Sequence, residues 1–233
     1  MRFQSLREEV LQANLELVRR GLVLYTFGNV SGISRHDAMI AIKPSGVPYE
    51  SMRAEDIVLT DLAGNVIEGK LRPSSDLATH VELYKHFPQI GGVAHTHSEF
   101  ATAWAQACQP IPCFGTTHAD YFHGPVPVTP CMGAREIESD YELNTGTAIC
   151  RLFKELDPQE IPAVLVAGHG PFCWGSSAAD AAHHAVILEA VARLAYYTIG
   201  IAADAAPISR DLHEKHFRRK HGKTAYYGQR LDK

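Results

Sequence analysis

The stretch that most constrains the fold is IPAVLVAGHGPFCWG at residues 161–175, followed at once by SSAADAAHHAVILEAVARLAYYTIG. The first reads as a strictly apolar strand running into a glycine-rich turn. The second reads as one long helix, capped by Ser176 or Ser177. Upstream, strands and helices continue to alternate. Leu6, Val10, Leu11, Ala13, Leu15 and Val18 recur at helical spacing, which predicts an amphipathic helix over residues 5–20 closed near Gly21. The β-like runs VLYTF, MIAIKP, DIVLTD and NVIEG follow, punctuated by Gly28, Ser31, Gly32, Gly46 and Gly64. PSSDLATHVELYKHF predicts a helix with Ser75 as N-cap, ended by Pro88. GGVAHT predicts a buried strand, SEFATAWAQA a helix, PVPVTP a short strand, and residues 134–155 a further helix. The tail DLHEKHFRRKHGKTAYYGQ predicts a helix and then extended chain. No repeat, low-complexity segment or linker interrupts this order. One three-layer α/β domain over residues 1–233 is the expectation.

Composition removes several function classes. A formal net charge of −4 gives no global pull toward nucleic acid or anionic membrane, and the basic stretch HFRRKHGK is short and local. The start, MRFQSLREEV, lacks the apolar core of an export signal. No stretch approaches the roughly 18 apolar residues of a membrane helix. The five cysteines are odd in number and have no CxxC spacing, so they read as reduced thiols of a cytoplasmic protein. The thirteen histidines make a metal site worth seeking.

His95 and His97 lie one residue apart at the end of the GGVAHT run. Residues i and i+2 of a strand face one side, so the two imidazoles can converge on one cation. His169, in VAGHGPF, lies at a second strand end beside glycines and is a candidate third ligand. Neutral imidazoles suit zinc and similar divalent ions. Asp76 falls in the first turn of a helix, where the dipole alone favours an acid. Its neighbours Ser74 and Ser75, with the free N–H groups of that helix start, make an anion site. Gly28-Asn29-Val30-Ser31 and Lys43-Pro44-Ser45-Gly46 are loops of the same character, and the three together suggest a phosphate pocket. Asp120, in THADYF, sits among aromatics and His118, where an apolar setting would raise its pKa and suit it to acid/base work; the alternative is an exposed turn acid. Tyr226-Tyr227-Gly228 fits terminal packing. Glu142 and Glu189 fit surface or core pairs, and His183 and His184 the surface or core of the long helix.

TFGNVSG, IKPSGVPYE, RPSSDLATHVELY, GGVAHTHS, GTTHADYF, HGPFCWG and KHFRRKHGKTAYYGQ occur in this order. Together they resemble the L-ribulose-5-phosphate 4-epimerases of the class II aldolase/epimerase (AraD-like) family over residues 5–229. The resemblance implies a central, mainly antiparallel sheet flanked by helices. It implies a C4-symmetric homotetramer with one zinc per subunit near the interfaces, the tail from about residue 210 serving a neighbouring subunit. By position, His95, His97 and His169 match zinc ligands and Asp76 the carboxylate joining them, although other divalent metals fit such a site. Gly28, Asn29, Lys43, Ser45, Gly46, Ser74 and Ser75 match substrate and phosphate contacts. Asp120 and Tyr227 match an acid/base pair whose tyrosine comes from a neighbour. Glu142 and His216 match supporting positions. One departure is Ala167-Gly168, where the family often has a polar residue or histidine.

The implied substrate is a small sugar phosphate, used in pentose catabolism from L-arabinose or L-ascorbate. The nearest rival is an aldolase acting on fuculose or rhamnulose 1-phosphate, typically with Glu at the position of Asp76. A zinc hydrolase would want a second metal or an HExxH helix, and neither is in the sequence. A non-catalytic module of the adducin kind would be expected to lose ligands that this chain keeps.

Overall fold

The computed structural model describes residues 3–221 and Ala225. In chain order its elements are α1 (Gln4–Arg19), β1 (Asn29–Ser34), β2 (Met39–Ile42), β3 (Val58–Asp61), β4 (Val66–Glu68), α2 (Leu77–His86), β5 (Gly92–His95), α3 (Glu99–Gln106), α4 (Thr116–Ala119), α5 (Ala134–Glu138), α6 (Tyr141–Leu152), β6 (Ala163–Val166), β7 (Gly170–Gly175), α7 (Ala178–Ile201) and α8 (Arg210–Lys220). The seven strands form one sheet in the order β4-β3-β2-β1-β5-β7-β6. Every neighbouring pair is antiparallel.

Strand periodicity sorts side chains into two cores. Along β2, Met39 and Ala41 pack into a core with Val10 and Leu17 of α1 and Ala181 and Leu188 of α7. Ile40 and Ile42 pack on the opposite face with Val81 and Tyr84 of α2 and Ile149 of α6. β6 and β7 alternate in the same way, with Leu165 and Cys173 on the first face and Val164, Phe172 and Trp174 on the second. The three-layer expectation therefore holds. α7 presses on the start of β5, where a Cβ at Gly92 would overlap the Ser177 carbonyl. Ser177 is the N-cap, its hydroxyl accepting from the Asp180 N–H.

Three expected elements differ. VLYTF is irregular chain: Leu24, Tyr25 and Phe27 are exposed and Tyr25 has φ +53°. The strand forms just beyond it, at Asn29–Ser34, where the backbone pairs on both sides and Val30 and Ile33 reach buried positions. PVPVTP makes only isolated bridges, Val126 to Ile111 and Val128 to Leu165. Its prolines lack the N–H a ladder needs. Residues 134–155 break at Ser139–Asp140 into α5 and α6. α7 also departs from the expectation about membrane helices. By length and composition it could cross a membrane, yet Ala181, Leu188, Val191 and Ala195 are buried in the first core.

Candidate metal and phosphate site

The antiparallel order brings several chain ends to one edge. Asn29 begins β1 opposite His95, which ends β5, and His95 lies opposite Phe172 near the start of β7. The turn from β6 into β7 carries His169, with Gly168 at φ +71° supplying the left-handed step. Lys43 directly follows β2. Its loop is zipped to the segment before α2, with Ser45 N–H donating to Arg72 O and Ser74 N–H to Lys43 O.

His95, His97 and His169 meet there. One ring nitrogen from each lies within 4.8 Å of the others, and His95 Nε2 is 3.1 Å from His97 Nε2. His95 is 2% exposed and stacks on Phe172 at 4.2 Å. Its Nδ1–H donates to Pro171 O at 2.9 Å, which leaves the Nε2 lone pair facing the cluster. Burial, reinforced by the neighbouring imidazoles, lowers the pKa of His97 and brings that of His169 down to about 4. These two can therefore stand neutral, as ligands must. Zinc at about 2.0–2.1 Å from two nitrogens would set them about 2.8–3.4 Å apart for octahedral to tetrahedral angles. The observed 3.1 Å fits.

Asp76 lines one cavity with these histidines. It is the N-cap residue of α2 but makes no side-chain cap bond, which displaces the expected Ser75 cap. Its Oδ2 instead accepts from Asn29 Nδ2 at 2.6 Å. Burial opposes its charge, but the imidazoles of His95 and His80 and the Asn29 bond outweigh that and hold it below the usual carboxylate range. Asn29 Oδ1 is buried with no partner among the described residues, so the site has an unused acceptor.

A cavity of about 350 Å³ holds these groups together with Gly28, Lys43, Ser45, Gly46, Ser74, Ser75 and Glu142. Lys43 is 2% exposed and lies 4.6 Å from the Tyr49 ring centre. Burial lowers its pKa to about 8. Glu142 is held by its backbone, Thr79 Oγ1 donating to its carbonyl at 2.6 Å. The lining suits one polar ligand with an anionic end at Lys43 and oxygen donors near the histidines.

Asp120 and His216 lie outside this cavity and touch each other. Asp120 follows α4, and α8 encloses it. Arg219 Nε donates to Oδ1 at 2.8 Å and Nη2 donates to Oδ2; His216 Nδ1 is 3.1 Å from Oδ1, and Lys220 Nζ 3.7 Å from Oδ2. Burial pushes the Asp120 pKa up, but the Arg219 and His216 bonds and the nearby cations bring it below its ordinary value. The expected raised pKa is thus reversed. Tyr227 lies outside the described residues.

The model for the class II aldolase and adducin N-terminal domain matches residues 8–196. The chain belongs to the class II aldolase family. Among curated members, L-ribulose-5-phosphate 4-epimerase UlaF of Salmonella paratyphi A and that of Salmonella typhi are each 52% identical to it over 227 residues, covering 97% of this chain and 100% of theirs. Among solved members, an L-fuculose 1-phosphate aldolase superposes with a TM-score of 0.79 at 24% identity, covering 92% of this chain and 95% of its own. Another, from Glaciozyma antarctica PI12, gives 0.73 at 18% identity, covering 95% and 84%. These two share the fold.

Three residues of this class II aldolase chain escaped the sequence reading or were given another role. Tyr141 lines the cavity, and its hydroxyl is 3.2 Å from His169 Nδ1. His80 lies buried one helical turn after Asp76 and contacts Ser31 Oγ at 2.7 Å, which in turn contacts Tyr84 OH at 2.8 Å. Burial lowers the His80 pKa to about 3, so it is neutral and ties α2 to β1. Glu189 of α7 accepts from the Phe100 and Ala101 N–H groups at the start of α3, just beyond His97. A tyrosine directly before Glu142 and a histidine at i+4 from Asp76 were the available signals.

Proposed function

We propose that this protein is an isomerase, an L-ribulose-5-phosphate 4-epimerase that interconverts L-ribulose 5-phosphate and D-xylulose 5-phosphate in pentose catabolism. The observation that carries the reading is three imidazoles converging beside a lysine-and-serine anion cradle in one cavity. The full-length curated relatives support it.

The substrate's chemistry explains why such a site is needed. The ketone is at C2, and the centre that inverts is C4. Removing the C4 proton would leave an unstabilised carbanion. Breaking the C3–C4 bond instead sends the electron pair into an enediolate of dihydroxyacetone and releases glycolaldehyde phosphate. The C4 hydroxyl gives up its proton as the bond breaks. Rotation presents the other aldehyde face, re-addition rebuilds the bond, and the new alkoxide takes up a proton.

His95, His97 and His169, with Asp76, would hold a zinc ion, which supplies Lewis-acid stabilisation of the negative oxygens. Lys43, Ser45, Gly46, Ser74 and Ser75 retain the phosphate end, so the aldehyde rotates without leaving. Asn29 keeps Asp76 oriented. The C4 hydroxyl points oppositely in the two epimers, so two proton carriers are required. We assign these to Asp120 and Tyr227, with His216 and Glu142 in support. Asp120 stands outside the cavity of its own chain, and the assignment takes Tyr227 from a neighbouring copy, so the two carriers meet the substrate only in an assembly. A homotetramer in the cytoplasm is the assembly that accompanies this assignment.

The test is purified zinc-loaded protein with L-ribulose 5-phosphate, following D-xylulose 5-phosphate through a coupled enzyme. Chelator-sensitive xylulose phosphate with little free aldehyde supports the reading. Free fragments without xylulose phosphate mean an aldolase.

A further inference from the structure

Cys108 and Cys131 lie outside the cavity just described. They are both exposed, and their Sγ atoms are 3.7 Å apart. The other three cysteines are buried. Cys108 follows the end of α3 with φ +52°, a left-handed position usually given to glycine. Its N–H donates to Ala105 O and that of Gln109 to Trp104 O, which fixes the turn. The Cys108 and Cys131 thiols share a hydrogen bond in which either can donate, and it raises the Cys108 pKa. A disulfide requires the sulfurs to approach to about 2.05 Å, so each moves by less than about 1 Å.

We propose that Cys108 and Cys131 are a reversible modification site that a peroxide converts to an intrachain disulfide. One thiol is oxidised to sulfenic acid and the peroxide is reduced, releasing one water. The second thiol attacks that sulfur, the S–S bond forms, and the sulfenic oxygen leaves as a second water with the thiol proton. A dithiol reductant returns both thiols by exchange.

The pair also brackets the turn that carries His169. Gly168 N–H donates to Ala105 O at 2.9 Å, three residues before Cys108. Ala167 N–H donates to Thr129 Oγ1 at 3.1 Å, two residues before Cys131. A disulfide therefore joins the two segments that seat this turn and restrains it. That consequence rests on the metal reading; formation of the disulfide does not.

The experiment treats the zinc-loaded protein with stoichiometric hydrogen peroxide. Intact mass and non-reducing peptide maps are followed, then zinc loss to a chelator is timed. The expected result is loss of two hydrogens, one Cys108–Cys131 crosslinked peptide, reversal by dithiothreitol, and at least threefold slower zinc loss in the crosslinked form. Cys108→Ser and Cys131→Ser should each abolish the crosslink. Oxygen adducts without a crosslink, a crosslink between chains, or one to a buried cysteine would overturn the proposal. An unchanged zinc-loss rate in fully crosslinked protein would overturn the coupling to His169 alone.

Discussion

Tyr141→Phe removes one oxygen and leaves the ring. In the cluster, His95 is oriented twice, by the Pro171 carbonyl and by stacking on Phe172. His169 rides on a three-residue turn, and the side-chain hydrogen bond seen for it is the one to Tyr141, at 3.2 Å. Orientation at His169 should therefore depend on that hydroxyl. A neutral hydrogen bond contributes about 0.5–1.5 kcal/mol. Loss of a partner that orients a metal-bound histidine typically costs 10–100-fold in affinity, or about 1.4–2.7 kcal/mol. The ranges meet near 1.4 kcal/mol, so Tyr141→Phe should weaken zinc binding about tenfold. A chromophoric chelator titration on protein with an unchanged circular dichroism spectrum measures this. Saturating zinc should restore most of the turnover. Zinc affinity within twofold of the parent would refute the argument that Tyr141 orients His169.

His97→Asn should lower bound zinc and activity together, read by metal analysis beside the coupled assay; full occupancy would remove His97 from the ligand set. Lys43 carries its charge below its lowered pKa of about 8, so phosphate-end affinity should fall as pH rises through that value, and Lys43→Met should raise KM at least tenfold at pH 7 and flatten the dependence. Gly92→Ala drives a methyl into the Ser177 carbonyl; overpacking of this kind costs about 1–3 kcal/mol, a melting drop of roughly 2–12 °C in a chain of this size. Asp120→Asn should cut turnover severely with zinc retained. Because the folded pKa of Asp120 is depressed, its contribution is present above the ordinary carboxylate range and is lost as pH falls through the lowered value; the protection of α8 amides relative to their intrinsic exchange rate should therefore fall in acid for the parent and be low already at neutral pH in the variant.

The layers were legible because strand and helix periods differ, whereas the division of β2, β6 and β7 side chains between two cores was not, since these runs are apolar on both faces. The histidine set was legible from two strand ends, although His97 lies past the end of β5 and converges through the following turn. VLYTF misled because its apolar content resembles a strand while its side chains stay exposed. The sign of the Asp120 shift could not be read locally: apolar neighbours are adjacent in sequence, whereas Arg219, which reverses the effect, is 99 residues away. Tyr141 was hidden for the same reason, since its partner lies in another hairpin.

The coupled assay of zinc-loaded protein on L-ribulose 5-phosphate, run with and without chelator, tests the central claim most directly. The account predicts D-xylulose 5-phosphate that disappears on metal removal, with dihydroxyacetone and glycolaldehyde phosphate scarce in the same tube. Turnover untouched by chelator, or accumulation of the two fragments in place of the epimer, would contradict it.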